Sequence, residues 1–384
     1  MSSAADPGVR WIPVALGAID VRGSSFFLPE AEILVVPVGA DAPLCLVGAG
    51  ASLWRRLVEG TPVVPSAVDP DAAALLHEFR AAGLAVLAAT HPAGVADLRP
   101  PALSSPMHEL VYALVARIAA DRGIPCVFVK GPALHRQGLR DREHSGDVDV
   151  WCEPSRCDEL ATALEQYGWT REPDPWWGTS VHHSITLAPG GWGCEIDVHR
   201  RIPGLTLPDD EAFAIVARDA DQMLYAGVPV PVPAVAVHAV LAAVTLVRPE
   251  IGGGARTPQA SDAARAVLTR APGAGARARE LGAVPVLREE LRTLLPDDDL
   301  TDGGVPRDWA WRAQPDRAHA YWHALRTEPL AVRFRLLLRL IWPPDEVALA
   351  SARRAGEPSA CATRARLRRI RRGAREWLRR SSTG

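Results

Sequence analysis

The chain opens on short apolar runs rather than on long helical periods. Ile33-Leu34-Val35-Val36-Pro37-Val38 and Leu44-Cys45-Leu46-Val47 predict β-strands, and Leu53, Trp54, Leu57 and Val58 recur at helical spacing over 51–59 until Gly60 stops them. Asp69-Pro70 pairs a cap with a first-turn proline, so a second helix is expected through Ala74, Leu75, Leu76 and Phe79 to Gly83. Leu84-Ala85-Val86-Leu87 then reads as a closing strand. The proline- and serine-bearing stretch 94–106 reads as a linker. After it, Leu110, Leu114, Val115 and Ile118 mark one face of a helix over 107–121, ended by Gly123. Cys126-Val127-Phe128-Val129 predicts a short buried strand, 147–152 a second, 155–167 a helix behind it, and 184–187 with 194–199 a hairpin. From 209 onward the patterns are mostly helical, and no internal repeat is visible.

This order predicts an α+β fold in several parts: a small domain at 10–93, a sheet-bearing core at 106–205, a helical region at 206–345, and a basic amphipathic tail helix at 359–380. In the tail, Leu367, Ile370, Ala374 and Trp377-Leu378 keep helical spacing among arginines. Such a helix packs on the body, lies on an anionic membrane surface or docks against an acidic partner.

Composition narrows the setting. At 384 residues, with 48% hydrophobic and 23% charged positions, the chain is an ordinary globular protein able to bury more than one core. A net charge of -2 argues against a DNA-coating surface. The six cysteines form no Cys-x-x-Cys pair, which speaks against zinc and for free buried thiols in a reducing cytoplasm. No signal peptide and no membrane-spanning run is read, so a cytoplasmic location without integral membrane contact is expected.

The chemistry gathers around the single lysine, Lys130, which precedes Gly131. Lysine is a compact point charge suited to a phosphate. Asp147 and Asp149 lie two apart on a predicted strand, hence on one face, where their repulsion calls for a cation or a proton; a solvated turn is the alternative for Ser145-Gly146-Asp147. Magnesium takes such carboxylates together with substrate phosphates, and two ions could clamp an in-line displacement. On Glu195-Ile196-Asp197-Val198-His199 the polar residues again share one face. Asp197 is the expected third ligand, with Glu195 as its substitute. His199 either orients a phosphate or the acceptor, or is a structural histidine. Trp176-Trp177 is either a base-stacking pair or a loop cap on the core, and the adjacent His182 and His183 point to opposite faces.

Two stretches resemble known families. Val129-Lys130-Gly131-Pro132-Ala133-Leu134, then Ser145-Gly146-Asp147-Val148-Asp149-Val150, then Glu195 to His199, resemble the uncharacterised nucleotidyltransferases of the DNA-polymerase-β superfamily over about 106–345. That resemblance implies a small mixed sheet backed by helices, an NTP substrate and two magnesium ions. It makes Asp147, Asp149 and Asp197 catalytic metal ligands, and it places Lys130, Gly131, Ser145, Arg142 and His199 near the nucleotide. The sequence departs from the commoner glycine-serine turn, because Pro132 removes an amide donor. Arg140 and Arg142 are then either phosphate contacts or loop surface charge. Gly48-Ala49-Gly50-Ala51-Ser52-Leu53-Trp54 and Ala82-Gly83-Leu84 give 10–93 a similarity to the winged-helix-like peptide-recognition family of pyrroloquinoline quinone biosynthesis protein D. It implies a precursor or leader peptide added to a sheet edge through 10–93, and a generic winged-helix fold serving as an N-terminal brace is the alternative. Joined, the two imply nucleotidyl transfer to an acceptor hydroxyl on a ribosomally made peptide. Kinase-like phosphoryl transfer to a peptide, or a leader-binding adaptor without turnover, are the alternatives.

Overall fold

The computed structural model describes residues 10–24, 29–39, 42–60, 63, 69–88, 97–251, 256–295, 300 and 304–381. They divide into two compact units, one of Met1–Arg171, Ser184–Val247 and Pro258–Gly304, the other of Glu172–His183, Arg248–Thr257 and Val305–Gly384.

In the first unit, β1 (Arg10–Pro13), β2 (Gly17–Asp20), β3 (Ile33–Val36) and β4 (Leu44–Leu46) lead to α1 (Gly48–Val58) and α2 (Pro70–Ala81). β5 (Ala85–Ala88) returns to pair antiparallel with β1. The Asp69 carboxylate caps α2 as expected, accepting from the Ala72 amide at 2.9 Å. β2, β3 and β4 form an antiparallel sheet in that order. All of β3 is buried because both of its faces are covered. Ile33 and Val35 join Trp54, Leu57, Leu76 and Phe79, whereas Leu34 and Val36 join Leu110, Val111 and Leu114 of α3 (Pro106–Asp121). Within the stretch read as a linker, residue 99 lies against this sheet: Arg99 bridges Ile19, and its carbonyl accepts from the Asp20 amide at 2.9 Å. Glu109, buried in the first turn of α3, accepts the amides of Ala102, Leu103 and Ala226 at 2.7, 2.9 and 2.7 Å.

There follow β6 (Cys126–Val129), α4 (Gly131–Arg136), β7 (Asp147–Cys152), α5 (Cys157–Glu165), β8 (Thr170–Arg171), β9 (Ser184–Ala188) and β10 (Glu195–His199). They build a mixed sheet of order β6-β7-β10-β9-β8, in which β7 and β10 run parallel and the other neighbours antiparallel. Val148, Val150, Ile196 and Val198 face the core shared with α3 and α5. Strand alternation therefore turns Asp147, Asp149, Asp197 and His199 to the opposite face.

The segment read as helical from 209 onward begins with α6 (Asp209–Arg218) but then forms a hairpin, β11 (Asp221–Tyr225) and β12 (Val228–Val232). Ala226 and Gly227 both have positive φ, 47° and 78°, the two-residue turn that matches strand twist. The Val-Pro alternation of β12 was a period-two signal, with Val230 and Val232 buried. α7 (Val235–Val247), α8 (Pro258–Thr269), α9 (Ala274–Glu280) and α10 (Val284–Leu291) complete the unit.

The second unit holds α11 (Arg307–Arg312), α12 (Arg317–Thr327), α13 (Leu330–Ile341), α14 (Asp345–Arg354) and α15 (Ala362–Ser381). Trp176 is buried there with Trp311, Ala324 and Leu336, while Trp177 stays partly exposed against His182. In the basic tail helix Ala365 and Arg366 are buried, Arg366 bonding Asp345 and the Pro343 carbonyl, whereas Leu367 and Ile370 are exposed. All six cysteines are free. Against the expectation of burial, Cys45 and Cys361 are exposed. No helix among the described residues is long and apolar enough to cross a membrane.

Candidate active site

The parallel register of β7 and β10 sets Asp197 beside Asp149 and Glu195 beside Asp147. On the other side of β7, Val129 of β6 pairs with Asp149, so Lys130 leaves its strand one residue past the central carboxylate. Asp149 is buried, and its Oδ1 accepts from Lys130 Nζ and, at 2.7 Å, from His199 Nε2. A carboxylate only accepts, so the His199 nitrogen that faces it carries the hydrogen. Asp197 Oδ1 accepts from Thr186 Oγ1 of β9 at 2.6 Å. Each aspartate is thus held by one oxygen. Among the described residues no hydrogen bond falls on Oδ2 of either.

Burial by itself would raise the Asp149 pKa, but the His199 bond and the Lys130 charge outweigh it and hold the carboxyl at about 2. Asp147, half-buried at the start of β7, is pushed up instead, by burial first and then by the Asp149 charge. The two acids of one motif are therefore electrostatically unlike. Asp149 stays ionised at any ordinary pH, whereas for Asp147 a nearby cation would favour the charged form that burial and Asp149 oppose.

The donor set suits a hard divalent ion. Asp149, Asp197 and His199 each offer a ligand atom within 4.8 Å of the others. With His199 Nε2 committed to Asp149, the oxygens are the better ligands. The Lys130 ammonium supplies on Asp149 the positive charge that a bound cation would bring. Asp147 lies outside that close group and is half-buried.

Lys130 itself is strained. Its φ of 64° and ψ of -156° fall in a region almost confined to glycine, worth roughly 1–3 kcal/mol for another residue. Its amide donates to His238 Nε2 at 2.9 Å. Gly131 follows with φ 50°, and a Cβ there would lie 2.7 Å from Tyr112 Oη and 3.0 Å from Ser145 Oγ. Glycine is required by both space and dihedral. Tyr112 is fully buried with its hydroxyl unpartnered, and burial drives its pKa well up.

The remaining expected site residues are more dispersed. Ser145 Oγ donates to the Asp147 carbonyl at 2.8 Å, as His108 Nε2 does at 3.2 Å, so both shape the entrance of β7. Arg142 is exposed on the loop before it. Arg140 is half-buried and bonds the His144 carbonyl at 2.9 Å, with its pKa lowered by burial and by Arg142. Glu195 shares the face of Asp197 but is exposed. Thr186 and His238 went unread in the sequence. Thr186 carried no distinguishing signal. His238 did, as the lone imidazole in the apolar run Val235–Val247.

Comparison with known proteins places this geometry. Residues 107–288 match a family model described as uncharacterised nucleotidyltransferase. No curated protein matches the chain. Among solved structures, a similar chain is the antibiotic-resistance factor ANT(2'')-Ia, at 14% identity and TM-score 0.31, covering 50% of this chain and 92% of that one. A likeness this loose carries no argument about substrate. The matched span contains the lysine turn, both carboxylate strands and the helix bearing His238, so residues 107–288 are similar to the uncharacterised nucleotidyltransferases, and the protein is a transferase.

Proposed function

We propose that the protein moves a nucleoside monophosphate from an NTP to an acceptor hydroxyl, with divalent metal, and releases pyrophosphate. The observation that carries this reading is the Asp149–Asp197 pair in parallel register, each with an uncommitted oxygen, with Lys130 on the same carboxylate. Asp149 and Asp197, with Asp147 two residues earlier on β7, would hold magnesium, which when bound neutralises phosphate charge and acidifies the acceptor hydroxyl. The chain's own residues supply position and charge. Thr186 and His199 fix the carboxylate planes, and Lys130 is within reach of an anion brought to Asp149. Arg140 and Arg142 add positive charge on the loop before β7.

The acceptor in this reading is a ribosomally made peptide, recruited through residues 10–93. Support comes from the edge of the N-terminal sheet. Arg99 lies along β2, whereas the outer side of β4 carries no strand among the described residues, and Leu44 and Cys45 are exposed. An extended peptide adds to such an edge through main-chain bonds.

The test is incubation of the full chain with each NTP, magnesium and the candidate precursor peptide. Pyrophosphate release with a peptide mass gain of one nucleotidyl group supports the reading. Release of ADP with a gain of one phosphate would assign phosphoryl transfer. Binding without turnover, unaffected by Asp149→Asn, would assign an adaptor.

A further inference from the structure

The single lysine reaches Asp149 because the backbone at residue 130 departs from its strand. Phe128 faces the apolar core with Val150, and alternation would send residue 130 the same way. The positive φ breaks that alternation and turns the amine to the carboxylate side. A strained conformation persists only where its surroundings over-determine it.

Those surroundings form a relay from α7 back to α4. The Lys130 amide donates to His238 Nε2 at 2.9 Å, His238 Nδ1 donates to Gln137 Oε1 at 2.6 Å, and Gln137 Nε2 donates to the Pro233 carbonyl at 2.8 Å. An amide only donates, so the imidazole must accept on Nε2 and carry its hydrogen on Nδ1. The Gln137 carboxamide then has a single possible orientation. His238 is 1% exposed, and burial holds its pKa down at about 3, so the accepting tautomer persists.

We infer that His238 is a positioning residue for nucleotidyl transfer: by accepting the Lys130 amide it locks the inverted turn and keeps the chain's one lysine beside Asp149, where a triphosphate is bound. This rests on the nucleotidyl-transfer reading. A histidine that only filled the core would affect stability without changing the surroundings of the Lys130 amine.

The lone lysine makes the distinction measurable. Acylation by an N-hydroxysuccinimide ester, followed by peptide mass spectrometry, reports Lys130 separately from the chain's N-terminal amine. In His238→Leu the expected results are acylation several-fold faster and an NTP KM raised about tenfold, the equivalent of one lost buried hydrogen bond, with kcat changed less. In His238→Gln, whose amide can repeat the acceptor-donor pair, both readouts return to within about twofold of the parent. Gln137→Leu cuts the relay one link further away and is expected to move both in the same direction, which covers the case in which His238→Leu fails to fold. Folded variants with unchanged Lys130 acylation and unchanged KM overturn the inference. So does an equal loss in His238→Leu and His238→Gln with unaltered lysine reactivity. Asp149→Asn separates the two levels: NTP turnover surviving in that variant refutes nucleotidyl transfer at this site, while the acylation readout on His238→Leu still decides whether the relay sets the lysine.

Discussion

Asp149→Asn is the most discriminating substitution. It removes the charge that Lys130 and His199 both address, while keeping size and strand register. In many metal sites such a change relieves repulsion and stabilises the apo protein. Here the opposite sign is expected, because Asp149 is already paired and its carboxyl is held at about 2 against the ordinary 3.8. A depressed acid contributes stability that is fully present above the unfolded pKa and is lost as pH falls through the folded one. The difference between those values corresponds to about 2–3 kcal/mol. Urea unfolding of parent and variant, followed by tryptophan fluorescence, should therefore differ by about 2–3 kcal/mol at pH 7. The gap should close between about pH 4 and pH 2. Turnover should fall by about two to three orders of magnitude, the range for removing one group that stabilises the transition state electrostatically. A variant as stable as the parent at pH 7, or a gap that does not narrow in acid, would refute the pairing argument.

Further outcomes follow from neighbouring contacts. Lys130→Ala should raise the NTP KM by about 10- to 100-fold, the range for one charged hydrogen bond, with fold retained by circular dichroism. Thr186→Val removes the hydroxyl that orients Asp197 and should lower kcat/KM about fivefold, with a higher magnesium requirement in the same assay. Gly131→Ala meets Tyr112 Oη at 2.7 Å on a residue with φ 50° and should destabilise by about 1–3 kcal/mol in urea titration.

Much of this protein was written locally. The Asp69-Pro70 cap and the all-apolar strands follow from side-chain periodicity and backbone sterics, and both appear where expected. Asp147-x-Asp149 and Asp197-x-His199 declared a shared polar face, because strand alternation depends only on sequence spacing. The β11–β12 hairpin is legible as well, in the Ala-Gly turn and the Val-Pro alternation, although helical periods flank it on both sides.

Other features depended on residues far apart in sequence. Register across β7 and β10 decided that Asp197, rather than Glu195, stands beside Asp149. Thr186 gains meaning only by pairing opposite Asp197, and His238 only because α7 brings it to the Lys130 amide. The sequence by itself determined which side chains could carry the chemistry. Only the tertiary structure decided which face Lys130 takes, because the inverted φ that turns it to Asp149 needs an acceptor 108 positions away in sequence to hold it.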